Sequence, residues 1–182
     1  KSLLLMARIL FLQEKYDEAI EWSDKVFAYD GYSNSAEELQ LEIYSQMGDW
    51  KKAKSKAQRM VREDPRNTDY LVRLVGIAGE LDDKELEENT LRRLYPLWKK
   101  DPEKLRQLAA LHLRAGHTAE ARKCLQTALT LDEHSFGVQL DLARLEFTEG
   151  HHDNAENAVE ALQKKFGKRT ELSYLLGEIE LA

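Results

Sequence analysis

Apolar and small residues recur along the chain at steps of three and four, in blocks of about a dozen positions separated by short polar turns. That spacing places them on one face of a helix and predicts a succession of amphipathic helices. The blocks follow a fixed frame. Ala19, Ala53, Ala121 and Ala155 are separated by 34, 68 and 34 residues, and Glu87 stands in the vacant slot. Twelve residues before each lies Ala7, Leu41, Val75, Ala109 or Ala143, and Gly177 continues the series. Five residues before each comes a turn, with Gly48, Gly116 and Gly150 in three units and Glu14 and Asp82 in the other two. No insertion disturbs the register, and a period of this size signals a stacked repeat array.

Each unit reads as two helices joined by a short turn. Ser35 with Glu38 has the spacing of a capping box, and Asp101 before Pro102 pairs a cap with proline at the first helical position. Asp49 and Thr118 are expected to cap second helices, and Gly167 to stop one. Two helices approach to about 8–10 Å only where the crossing side chains are short, so Ala109 is expected against Ala121. Pro96 removes a helix hydrogen bond, which predicts an end or kink near Tyr95 and an extended connection through Pro96–Pro102. Gly76 and Gly79 each cost about 1 kcal/mol in mid-helix, which predicts close approach by a neighbouring helix or a ligand.

The 34-residue period, the small residue at the eighth position, the turn in Met47–Asn67 (MGDWKKAKSKAQRMVREDPRN) and the alanine after it resemble the tetratricopeptide repeat over essentially the whole chain. The units run 1–33, 34–67, 68–101, 102–135 and 136–169, with a half unit at 170–182, in a single array over 1–182. The third departs most from the pattern, lacking the turn glycine and carrying Glu87 for alanine. The resemblance implies an all-α fold, a right-handed αα superhelix of antiparallel helix pairs in which each unit meets only its neighbours. It implies binding of a partner protein or peptide, with a structural spacer or self-association module as the alternative, and it does not imply catalysis. A looser likeness to repeat arrays of bacterial cell-envelope and polysaccharide-export systems suggests that setting.

In this family the concave face is built from the second, fifth, ninth, twelfth and thirteenth positions of each first helix. Carried over, these are Leu4, Arg8, Phe11 and Leu12 in the first unit and Glu38, Glu42, Ser45 and Gln46 in the second. The third offers Val72, Gly76, Gly79 and Glu80, the fourth Arg106, Ala110, Leu113 and Arg114, and the fifth Leu140, Arg144 and Phe147. The expected partner-binding residues are Arg106, Leu113, Arg114, Leu140, Arg144, Phe147, Val72, Gly76 and Gly79. Three arginines beside Leu113, Leu140 and Phe147 suit an amphipathic, carboxylate-bearing segment. The alternative for the arginines is pairing with Asp141 or Glu103. The Lys/Asn/Arg clamp of members that bind chaperone tails is not reproduced, since Arg106 is followed by Ala110 and no asparagine.

Composition narrows the rest. A net charge of −6, with both signs mixed in every segment, offers no polybasic face for nucleic acid. No apolar run reaches the roughly 20 residues of a membrane span, so no membrane insertion by this segment is expected. The sequence names no compartment. A helical pattern already running at Lys1 and still running at Ala182 predicts an excerpt of a longer chain. There Leu172, Leu175, Leu176 and Ile179 would form an uncovered stripe open to self-association. The single cysteine, Cys124, excludes an internal disulfide and reads as a packed small hydrophobe. His117 and His151 lie one period apart, with His152 adjacent, but stacked turns stand about 10 Å apart and zinc needs ligands at about 2 Å. No metal, cofactor or catalytic residue is expected.

Overall fold

The computed structural model describes residues 2–181, so the helical pattern expected at Lys1 and Ala182 lies outside the described residues. Among them are the eleven helices that the frame predicts. They are α1 (Ser2–Leu12), α2 (Tyr16–Asp30), α3 (Asn34–Gln46), α4 (Trp50–Glu63), α5 (Thr68–Glu80), α6 (Lys84–Trp98), α7 (Pro102–Arg114), α8 (Thr118–Leu131), α9 (Phe136–Thr148), α10 (His152–Phe166) and α11 (Thr170–Glu180). Two compact units part within α6, one ending at Arg93 and the other beginning at Leu94.

The five turns inside the repeats share one hydrogen-bond scheme. In each, an amide reaches back five residues, as from Lys15 to Leu10, Asp49 to Tyr44, Asp83 to Ala78, His117 to His112 and His151 to Glu146. The residue before it is left-handed and bonds three residues back. This is the Schellman closure, which ties off carbonyls that a helix end leaves open. Gly48, Gly116 and Gly150 fill the left-handed position in three turns, while Glu14 and Asp82 are held there at φ 60° and 52°.

Capping follows the frame with two shifts. Asp49 accepts from the Lys52 amide and Asp101 from those of Glu103 and Lys104. Thr118, expected as a cap, is instead the first residue of α8, and His117 precedes it without a side-chain cap bond. Ser35 and Glu38 lie inside α3, which begins two residues earlier than a capping box at Ser35 requires. Gly167 ends α10 as expected, at φ 78°.

In the first unit, α1 packs on α2 and α3, α3 on α4, and α4 on α5. Ala7, Leu10, Ala19, Leu39 and Ile43 form a buried cluster there. Glu37 is fully buried beneath α4, with Arg59 Nη1 2.9 Å and Lys56 Nζ 3.4 Å from its oxygens, neither aligned as a hydrogen bond. Glu87, in the alanine slot, is also buried, and a Cβ on Gly79 would stand 3.4 Å from its carboxylate, an ordinary contact distance. The close approach expected at Gly79 is not found: the residue is exposed and nothing stands near enough to require glycine there.

Pro96 does not end α6, and the extended connection expected from it is absent. The helix runs on to Trp98, and the Lys99 amide still reaches the Tyr95 carbonyl. Pro96 and Arg92 are exposed, so water can reach the carbonyl that proline leaves without a donor, while Leu94 and Trp98 are buried and hold the last turn.

In the second unit, α7 packs on α8 and α9, α8 on α9, and α9 on α10 and α11. Ala109 and Ala121 are both buried between α7 and α8. The apolar residues of α11 are not an open stripe. Leu172, Leu175 and Ile179 are buried in one cluster with Leu140, Ala143, Ala155, Val159 and Leu162, and Leu176 packs against it. The open apolar face lies on α1 instead, where Leu5, Ile9 and Leu12 are 61%, 42% and 80% exposed.

Candidate functional site

The face of α9 that meets α7 carries Asp141, Arg144, Leu145 and Thr148, spaced to share one side of a helix. With Arg106, Ala109, Ala110, Leu113 and Leu125 they line a pocket of about 220 Å³. Arg106 is half-buried and tied down: Nε donates to Asp141 Oδ2 and Nη1 to both Glu103 oxygens at 3.0 Å. Its guanidinium lies over Gly137, where a Cβ would come within 2.6 Å of Nη1. The Asp141 carboxylate, and then Glu103, raise the Arg106 pKa further, so the charge is permanent and already neutralised. Arg144 is exposed, with Asp141 at 4.0 Å. Arg114 is exposed at the end of α7.

The expected binding residues thus separate. Arg106, Leu113 and Arg144 line one pocket, with Leu113 exposed. Leu140 is a core residue and Phe147 packs on the same cluster, its ring edge-on to His152. The placement of Leu140 on an open groove is therefore corrected: α11 and α10 cover that side of α9. Val72 and Gly76 are half-buried on α5, and Gly79 lies over Glu87. Asp141 and Thr148 were not among the expected residues. Asp141 was legible as the carboxylate one period and one residue beyond Arg106, the spacing at which successive first helices face each other.

A second pocket, about 350 Å³, lies in the first unit between α1, α3 and α5 and is lined by Arg8, Phe11, Leu12, Glu38, Leu39, Glu42 and Arg73. The hydroxyl of Tyr70, largely buried, donates to Glu38 at 2.9 Å. Burial first, then the Glu38 carboxylate, push Tyr70 up to about 12, so the hydroxyl remains a donor.

The opposite side of α9 presents Gln139, Leu142 and Glu146 to a larger depression of about 480 Å³ between α8 and α10. Its charges are closed: Arg122 pairs with Glu146 and Glu149, and Lys165 donates to the Glu133 carbonyl. Arg122 also holds Glu146 below the usual carboxylate range. Glu146, Glu149 and His151 bring potential ligand atoms within 4.8 Å of one another, but the Arg122 guanidinium already serves as their cation. His117 instead faces His112, ring centroids 5.8 Å apart. His112 is buried with Nδ1 unpartnered, and burial first, then His117, lower its pKa below 6.5. Cys124 is buried, which pushes its thiol up to about 11 and away from nucleophilic chemistry. Among the described residues no helix is long and apolar enough to cross a membrane.

Residues 112–179 match the family model described as Tetratricopeptide repeat. No protein of curated function matches the chain in sequence. Among solved structures, a tetratricopeptide repeat protein from Parabacteroides merdae superposes with a TM-score of 0.70 at 17% identity, covering 97% of this chain and 73% of its own. A thermophilic protein of the same repeat from Thermus thermophilus gives 0.58 at 16% identity, over 100% and 98%. YrrB, described as having an unusual peptide-binding site, gives 0.61 at 16% identity, over 94% and 89%. At these identities the likeness speaks for the fold, all-α and of the αα-superhelix class.

Proposed function

Because residues 112–179 match the tetratricopeptide repeat and the chain takes the fold of such proteins, we propose that it is a protein-interaction scaffold whose first helices dock a carboxylate-bearing, amphipathic segment of a partner protein. The observation that carries this reading is the pocket between α7 and α9, where exposed Arg144 stands beside exposed Leu113. A guanidinium grips a carboxylate bidentately, and the leucine offers the adjoining apolar contact. Arg114 supplies a further cation. Arg106 shapes the wall and leaves Arg144 as the principal charge for the partner, since Asp141 and Glu103 already occupy it.

The test is titration of a helical peptide with glutamates flanking leucines. Arg144→Glu is expected to weaken binding by about 2 kcal/mol, and Lys123→Glu on a second helix to leave it nearly unchanged. Equal losses would move the site off the first helices. Self-association is a second reading, favoured by the exposed Leu5, Ile9 and Leu12 of α1. A sedimentation coefficient independent of concentration would remove it.

A further inference from the structure

The first unit carries a pocket whose charges its own side chains leave open. Arg8 and Glu42 hold equivalent positions on α1 and α3, helices that pack together, and Glu38 and Arg73 line the same pocket from α3 and α5. No ion pair joins any of the four within their unit among the described residues. Tyr70 accounts for part of this, because its hydroxyl holds one oxygen of Glu38. The carboxylate is thereby fixed at the pocket edge, and its other oxygen is available. Phe11, half-buried, and Leu12, 80% exposed, supply the apolar part of the lining.

We propose that this pocket docks a short partner segment of mixed charge, with an acidic and a basic side chain on either side of an apolar one. Two cations and two carboxylates around one apolar patch discriminate against a segment of a single sign. An all-acidic segment meets Glu38 and Glu42, and an all-basic one meets Arg8 and Arg73; like-charge juxtaposition disfavours both. A mixed segment satisfies both signs and lays its apolar side chain on Phe11 and Leu12. This inference extends the reading that first helices dock a partner segment and assigns a different chemistry to the first unit.

The probes are four fluorescein-labelled peptides of equal length, acetylated and amidated, with a central leucine flanked by Glu and Lys, by two Glu, by two Lys, or by two Gln. Binding is read by anisotropy on the whole chain carrying Arg144→Glu, which removes the carboxylate-gripping cation of the second-unit pocket. The mixed peptide is expected to bind at least about tenfold more tightly than either single-sign peptide. Arg8→Gln with Arg73→Gln should turn the preference to the basic peptide, and Glu38→Gln with Glu42→Gln to the acidic one. All of these are exposed or half-buried positions where glutamine folds readily. With Arg144 restored, the two-Glu peptide should gain affinity through the second-unit pocket. Equal binding of the four peptides, or no binding of any, overturns the inference. So does a mixed peptide indifferent to both double variants. A mixed peptide that binds only when Arg144 is restored overturns it while leaving the scaffold reading standing, and no binding of any peptide with or without Arg144 removes the two together.

Discussion

Arg106 with Asp141 and Glu38 with Arg73 occupy the same two repeat positions, 35 residues apart in sequence, with the charges exchanged. In the second unit the pair is closed, with Glu103 added and Gly137 making room for the guanidinium. In the first it is open, and Tyr70 takes part of the carboxylate. The same positions elsewhere hold Leu4 with Leu39 and Leu140 with Leu175, each in a hydrophobic cluster. One seam between successive first helices is thus filled by apolar contact, by a closed ion pair, or by charges left for another molecule. The charges alone do not decide between structure and binding. What decides is whether the neighbouring residues complete the pair.

The largest effect is expected from reversing the closed pair. Arg106→Glu sets a third carboxylate beside Glu103 and Asp141 and should destabilise the second unit by about 3 kcal/mol. Glu38→Gln keeps a partner for Tyr70 and should cost the first unit under about 1 kcal/mol. Hydrogen exchange resolved by peptide measures each unit separately, and equal losses would break the distinction.

A smaller change sharpens it. Asp141→Asn weakens the tie on Arg106 at a cost of about 1 kcal/mol in stability, while the freed guanidinium joins Arg144. Affinity for the acidic helical peptide should rise as stability falls. A fall in both, by titration and by exchange, would make Asp141 part of the binding surface itself.

The smallest effect separates the units by pH. His112, in the second unit only, is held below its ordinary 6.5 by burial and by His117. Between the folded and unfolded values the unfolded chain binds more protons, so stability is fully present above about pH 6.5 and is lost as pH falls through the folded value. Exchange in α7 and α8 should quicken over that window relative to α3 and α4. His112→Leu should flatten the difference, and an unchanged slope would assign the pH dependence to other groups.

The repeat frame was legible because turn closure and helix crossing recur at fixed spacing, and Glu14 and Asp82 kept their places in it without glycine. The face of each first helix was less so. One position of register turns a side chain by about 100°, and only the presence of α11 decides that Leu140 is core. Caps shifted too, by one residue at Thr118, where His117 precedes the helix, and by two at Ser35, where Ser33 does. Pro96 misled because its effect depends on whether solvent reaches the Arg92 carbonyl. For Arg106 the alternative stated from the sequence, pairing with Asp141 and Glu103, is the one the structure makes.

Glu87 resting over Gly79 also bears on how a chain of near-identical parts assembles in the right order. The positions equivalent to Gly79 hold Phe11, Ser45, Leu113 and Phe147, all bulkier. Those equivalent to Glu87 hold alanine, which fits beneath any first helix. The third repeat alone sets a glutamate on its second helix beside a glycine in the last turn of its first. Repeat arrays are prone to misassembly and to exchange of segments between copies. The Gly79–Glu87 pair is a combination the other four repeats do not carry, so it gives the third repeat a sequence of its own at the crossing where the others are most alike.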